Sequence, residues 1–426
     1  MSVAHTKVVI LGGGFGGLNA AKTLGDTKLD VWIVDKTNHH LFQPLLYQVA
    51  SANLSPGDIA VPIRDILSAH GNVTVWMGSV ETIDKESKMI HLKNGDNISY
   101  DYLIVALGAT HSYFGKDEWE QFAPGLKTLA DALKIREKIL LSFEKAERAD
   151  SILDQERYLN FVIVGGGPTG VEMAGAIAEI AYQTMLKNFR RIDVKKTKIY
   201  LVESCPTVLY HGYPEKLCLK AQSYLEHYGV TVFTGTRVVN ITKEGAFLQD
   251  KKEPIPAENI VWAAGNQASP VLKTLDVPLD KQGRVIVGPD LSIPNHPEVF
   301  VIGDAACAMD KTGKPLPGLA PVAVQQGRYV AHIIRKQLEL SKRPPFQYLD
   351  KGTMATIGKT KAVGIFGKLQ FSGFIAWLGW CFIHILYLIG FRNRLTVLTH
   401  WLFSYFSNQR GARLINRSID DELQKR

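Results

Sequence analysis

The residues best placed to do chemistry come in two glycine clusters, each followed by an acid. Gly12, Gly14 and Gly17 form G-x-G-x-x-G, with Asp35 further on. Gly165, Gly167 and Gly170 repeat the spacing, and Glu203 follows. This arrangement suits dinucleotide binding. The first glycine permits a tight turn, the second lets a pyrophosphate approach the backbone, and the third lets helix pack on strand. The phosphates then meet free N–H groups at the positive end of a helix dipole. An acid about 20 residues on accepts hydrogen bonds from ribose hydroxyls. Glu203 favours NADH over NADPH, whose 2′-phosphate it repels. Arg190, Arg191, Lys195 and Lys196, in the insert before it, argue the other way.

Four other positions have both a chemical and a structural reading. Asp304, after Gly303, suits a flavin ribityl hydroxyl or a plain helix cap. Glu172, in the first turn after the second motif, complements the helix dipole or serves the nicotinamide ring and its proton movement. Gln325 and Gln326 follow Ala320-Pro321-Val322-Ala323-Val324. Small residues there admit a flat ring whose carbonyl an amide can bond; the alternative is a surface helix.

Two dinucleotide sites in one chain imply a tightly held flavin and an exchanging nicotinamide, with the flavin carrying the redox chemistry. Cys205, Cys218, Cys307 and Cys381 form no C-x-x-C pair. That argues against a disulfide framework or metal site and fits a reducing compartment. A disulfide or sulfide reductase needs a redox pair beside its flavin; no cysteine lies near the first motif, and Cys307 is the one thiol close to Asp304.

These groups need elements to position them. KVVIL at Lys7 to Leu11, a helix from Leu18 to Leu24 and a strand at Val31 to Val34 read as β-α-β. Phe161 to Val164, a helix through Ile180 and a strand at Lys198 to Val202 repeat the unit. A strand at Tyr102 to Ala106 and a charged helix at Leu129 to Arg148 lie between them. Val299 to Ile302, ahead of Gly303-Asp304 and a helix start at Ala305-Ala306, reads as the chain returning to the first sheet. The fold class is α/β, with two doubly wound domains and a C-terminal anchoring region. The expected bounds are 1–115 with 285–350, 116–284, and 351–426.

The net charge of +8 over 426 residues is unevenly placed. From Lys351 onward, eleven Lys and Arg face three acids, and the preceding part is balanced. An excess confined to an aromatic tail points to anionic lipid rather than nucleic acid. Phe371 to Phe391 has no charged residue and nearly the length of a membrane span. Trp377, Trp380 and a small-residue stripe suit an in-plane helix better; spanning and protein-interface readings remain. After Arg392 and Arg394, a second piece sets Leu395, Leu398, Trp401, Leu402 and Phe406 opposite Thr396, Thr399, His400, Ser404 and Ser407. Arg410, Arg413 and Arg417 follow as headgroup contacts. The chain enters its first strand within a few residues of Met1, leaving no room for a secretory signal, so the expected location is the cytoplasmic face of the inner membrane.

With these pieces in place the chain resembles the type II NADH:quinone oxidoreductases, non-proton-pumping FAD enzymes of respiratory electron transport. VILGGGFGG (Val9 to Gly17), VDKTNHHLFQPLLYQVA (Val34 to Ala50), VGGGPTGVEMA (Val164 to Ala174), VWAAG (Val261 to Gly265), VIGDAA (Val301 to Ala306) and APVAVQ (Ala320 to Gln325) carry the likeness. It implies FAD contacts at Gly12, Gly13, Gly14, Phe15, Gly16, Gly17, Asp35, Lys36, Asn38, His39, Val80, Ala109, Asp304, Ala320 and Pro321. It implies NADH contacts at Gly165, Gly167, Pro168, Thr169, Gly170, Glu172, Glu203, Ala264 and Gly265. A quinone, ubiquinone or menaquinone, would meet Gln48, Ala320, Ala323 and Gln325, with Glu172 and Gln325 functionally central. Pro321 stands where the family's motif has its first Gln. Phe371, Trp377, Trp380, Arg392, Arg394, Trp401 and Phe406 would meet the membrane, and a homodimer is left open. Two alternatives stay open. One is a soluble-type NAD(P)H-dependent flavin reductase of a protein or sulfur acceptor. The other is a membrane-attached flavoprotein with a signalling or structural role.

Overall fold

The computed structural model describes residues 5–415. The chain divides into two compact units, Met1–Leu41 with Ala60–Thr110 and Asn266–Asp350, and Phe42–Ile59 with His111–Gly265 and Lys351–Arg426.

In the first unit, Lys7–Leu11 is the central strand of a six-stranded sheet. Strands pair on both its sides, Asp30–Asp35 and Tyr102–Val105, both parallel, and its apolar run is buried as in a sheet covered on both faces. Val73–Met77 extends one edge and His296–Val301 the other, so the chain returns to this sheet. The helix Phe15–Leu24 begins at the glycines, earlier than the expected Leu18. Ala306–Cys307 is a short strand after a single 3-10 turn, not a helix start.

The segment 266–284 belongs to this unit, and the expected boundary at 284/285 falls at 265/266. The cause is packing. Ala268, Leu272 and Leu275 share a buried core with Ile83, Ile90 and Leu92 and with Val9 and Leu11 of the six-stranded sheet, so hydrophobic burial holds the segment to this unit.

The second unit has a four-stranded parallel sheet in the order Val230–Phe233, Lys198–Val202, Asn160–Val164, Asn259–Trp262. The helix Pro168–Glu179 follows the glycines and passes into one π-helical turn, Ile180–Thr184. Leu129–Arg148 forms the expected long helix, opened by a reciprocal capping box between Thr128 and Asp131. The tail does not stand apart as 351–426. It joins this unit through an antiparallel sheet, Thr353–Ile357, Lys361–Phe366 and Leu369–Gly373, followed by helices Phe374–Tyr387 and Phe391–Ser407. Phe371 therefore lies in a strand. Gly373, at φ +84°, breaks the expected apolar run before its helix begins. Among the described residues, no helix is long and apolar enough to cross a membrane.

Candidate functional site

At the first glycine cluster, Gly12 has φ +103°, and a Cβ there would lie 2.3 Å from Ala106 O. A Cβ at Gly17 would lie 1.9 Å from Gly12 O, so helix and strand touch as the motif requires. At Gly14 a Cβ would meet nothing within 4 Å. Two glycines are thus packed by the protein and the middle one opens on free space, which fits a pyrophosphate. Asp35 Oδ2 accepts from Gly13 N–H at 2.6 Å, while Oδ1 accepts from Thr37 N and Oγ1. The acid therefore holds the turn as well as standing at the ribose position. Of the pair His39-His40, His40 reaches the loop: its Nδ1 meets Gly13 O at 2.9 Å, and Phe15 packs edge-on to its ring. His40 Nε2 is buried with no partner among the described residues, a polar atom consistent with a bound group. Burial lowers its pKa, the Gly13 carbonyl opposing. Sequence reading named His39 and missed it.

Lys36 and Asn38 are exposed, with Asn38 O accepting from Ile63 N. Val80 is buried at a strand start and Ala109 begins a short strand. Asp304 lies in the 3-10 turn Gly303–Ala305 and caps no helix. Gln326, wholly buried, holds that turn by accepting from Gly303 N–H at 2.6 Å. Ala320 and Pro321 open the helix Ala320–Arg335, and Ala323 is buried within it. Gln325 spends both ends of its amide on Leu349: Nε2 donates to the carbonyl at 3.0 Å and Oε1 accepts from the N–H at 2.9 Å.

The second cluster repeats the cradle. Gly165 has φ +108° and packs on Ala263 and Ala264; a Cβ at Gly170 would lie 1.8 Å from Gly165 O; Gly167 opens on free space. Pro168 and Thr169 are exposed at the helix start. Glu203 Oε2 accepts from Gly166 N–H at 2.5 Å and Oε1 from Cys205 N, matching Asp35 in the first unit. Gly265 needs its φ of +72° and packs against Ser112 O. Arg190 bonds carbonyls of Lys187 and Phe189, and Arg191 pairs with Asp150, so both guanidinium groups are engaged locally.

Glu172 is the fifth residue of its helix, beyond the first turn. It lines a narrow cleft within the second unit, together with Tyr47, Gln48, Glu179, Trp401 and Arg410. Burial pushes the Glu172 carboxyl up to about 8, with a hydrogen bond from the Thr356 backbone opposing. Burial, reinforced by Glu172, also pushes the Tyr47 phenol well above its usual range. Gln48 Nε2 donates to Tyr47 Oη at 2.9 Å, and its Oε1 accepts from Asn53 Nδ2 and from Trp401 Nε1. Arg410 Nη2 meets Glu179 Oε2 at 2.8 Å, and Nη1 donates to Ser51 O.

Three membrane expectations change. Trp380 is 1% exposed and Trp401 is 9% exposed, so both face the protein. Trp380 stacks on His384, and Trp401 is drawn inward by its bond to Gln48. Arg410 is buried in its ion pair, unavailable to a headgroup. Arg417 lies outside the described residues. The outward face is apolar. Phe374, Ile375, Leu378, Phe382, Leu386, Phe391, Leu395, Leu398, Leu402 and Phe406 are all exposed, and Trp377 is half-buried against Tyr405.

Two glycine cradles, each on its own parallel sheet, define a two-dinucleotide-fold oxidoreductase scaffold. The family model of the pyridine nucleotide-disulphide oxidoreductases matches residues 6–327. The type II NADH:quinone oxidoreductase Ndh of Mycobacterium tuberculosis is 44% identical over 95% of this chain and 89% of its own length. This chain belongs to the type II NADH:quinone oxidoreductases, within the pyridine nucleotide-disulphide oxidoreductase family. A solved structure of NDH2 from Plasmodium falciparum in complex with NADH shares the fold at TM-score 0.88, with 20% identity, covering 97% of this chain and all of that one. The sulfide:quinone oxidoreductase of Aquifex aeolicus, at TM-score 0.73 and 18% identity, covers 94% of this chain and 95% of its own.

Proposed function

We propose that the chain is a peripheral membrane FAD enzyme that oxidises NADH and reduces a membrane quinone. The observation that carries the reading is one juxtaposition inside the second unit. The helix that follows the second glycine cradle presents Glu172 to a cleft whose other wall is formed by the tail helices. Those same helices expose thirteen large hydrophobic side chains. Surfaces of that kind mark a partner or a membrane.

The flavin, when bound, supplies the ring that accepts hydride and returns electrons. The residues of the chain have narrower tasks. Gly12 to Gly17 and Asp35 hold the FAD pyrophosphate and ribose, with Gln326 fixing the turn that carries Asp304. Gly165 to Gly170 and Glu203 hold NADH, and Glu203 repels a 2′-phosphate. Glu172, protonated near neutral pH, holds a proton at its carboxyl for the reduced quinone. Tyr47 and Gln48 shape the cleft beside it. The four free cysteines fit a reducing compartment and hence the cytoplasmic face.

The test is steady-state turnover of the FAD-loaded enzyme with NADH and a short-chain quinone, set against NADH with a disulfide or a ferredoxin. Rapid quinone reduction alone is expected. Preference for the sulfur or protein acceptor contradicts the reading. For the membrane, Leu402→Glu with Phe406→Glu is expected to release the enzyme from neutral vesicles, and full retention contradicts attachment through this face.

A further inference from the structure

A groove of about 610 Å³ on the second unit is lined by Tyr182, His227, Tyr228, Lys359, Thr360 and Lys361 among others, and no carboxylate lines it. Glu179, which accepts from the Lys359 N–H, is buried and paired with Arg410. The ammonium groups of Lys220 and of the groove-lining Lys361 lie 5.4 and 5.6 Å from the centre of the Tyr224 ring. Two like charges on one ring sit within about a Debye length of each other, ~10 Å, so their repulsion is only partly screened. Neither has an ion-pair partner among the described residues. An anion between them would relieve that repulsion.

Lys359 of the groove and the neighbouring Tyr224 also adjoin the tail helices. A Cβ on Gly373 would lie 3.4 Å from the Tyr224 hydroxyl, directly before the helix whose first residues, Phe374 and Ile375, are exposed. Among the described residues, that helix has no side-chain cap at its start. The Lys359 ammonium donates to Tyr405 O and Asn408 Oδ1 at the end of the second tail helix, beside exposed Phe406. Fixed cations bordering an outward apolar surface match the chemistry of an acidic lipid: a charged head over apolar chains.

We propose that this groove binds the phosphate of an anionic phospholipid headgroup, held by Lys220, Lys361 and His227, with the acyl chains along the tail-helix face. The proposal rests on the peripheral-membrane reading above and adds lipid selectivity to it. The experiment is co-sedimentation of the full-chain, FAD-loaded enzyme with phosphatidylcholine vesicles, with and without phosphatidylglycerol. The wild type is expected to bind the phosphatidylglycerol vesicles more tightly. Lys220→Gln with Lys361→Gln is expected to weaken that binding about fivefold or more. Its binding to neutral vesicles, and its turnover with a short-chain quinone, should match the wild type. Lys243→Gln, a control on the turn between Val238–Thr242 and Gly245–Leu248, is expected to change nothing. Absence of phosphatidylglycerol preference, or its survival in the double variant, overturns the headgroup site alone. Displacement by millimolar inorganic phosphate assigns the groove to free phosphate and overturns it too. Failure to bind either vesicle overturns the membrane reading and this site with it.

Discussion

Trp401 donates its indole N–H to Gln48 Oε1 at 2.7 Å, joining residues 353 apart in sequence. Through that bond, a tail helix that turns its other face outward sets the side chain beside Tyr47 and Glu172. Trp401→Phe keeps the ring packing against Trp380 and removes the donor. The lost bond is worth roughly 1 kcal/mol, about fivefold. The KM for quinone is expected to rise by that factor, while NADH oxidation by ferricyanide is unchanged. Equal losses in both assays would mean a general structural role.

Arg410 and Glu179 form a buried pair whose partners come from the end of the tail and the second glycine helix. Removing one partner strands the other's charge, which costs about 3–5 kcal/mol. Arg410→Met is expected to lower the melting temperature strongly, and Arg410→Met with Glu179→Leu to recover much of it. Additive losses in the double variant contradict this account.

Glu172 gives a pH test with a definite sign. Its carboxyl keeps its proton in the fold up to about pH 8, against 4.5 for the ordinary group. Between those values the folded chain binds more protons than the unfolded one, so stability falls as pH rises through that window. Glu172→Gln removes this contribution. Melting temperatures between pH 5 and pH 9 are expected to fall less in the variant, and parallel curves would contradict the shift.

The two cradles can be told apart by alanine. Gly17→Ala and Gly170→Ala each push a Cβ into a carbonyl less than 2 Å away and force helix from strand. Gly17→Ala is expected to purify without flavin. Gly170→Ala is expected to keep its flavin and lose reduction by NADH. The reverse assignment would show that the cradles serve the opposite ligands.

What the sequence made legible was local. The glycine spacings, the flanking strands and Asp35 and Glu203 are set by short-range chemistry, and each stands within a few residues of its expected place. What it hid were long-range contacts. Nothing near Trp401 signals that Gln48 will turn it inward, and a helical wheel alone set it on the outward face. Arg410 reads as a surface cation until Glu179 is brought to it. Gln326, next to the expected Gln325, holds Gly303, and His40, next to the expected His39, reaches the first loop. In both cases the choice between neighbours depends on which way the backbone faces.

The most direct test of the account is an anaerobic absorbance spectrum of the purified enzyme. The yellow flavin band is expected to bleach on adding NADH and to return in full on adding a short-chain quinone. Bleaching by NADH that only a thiol, a sulfide-derived acceptor or a protein acceptor reverses would contradict it.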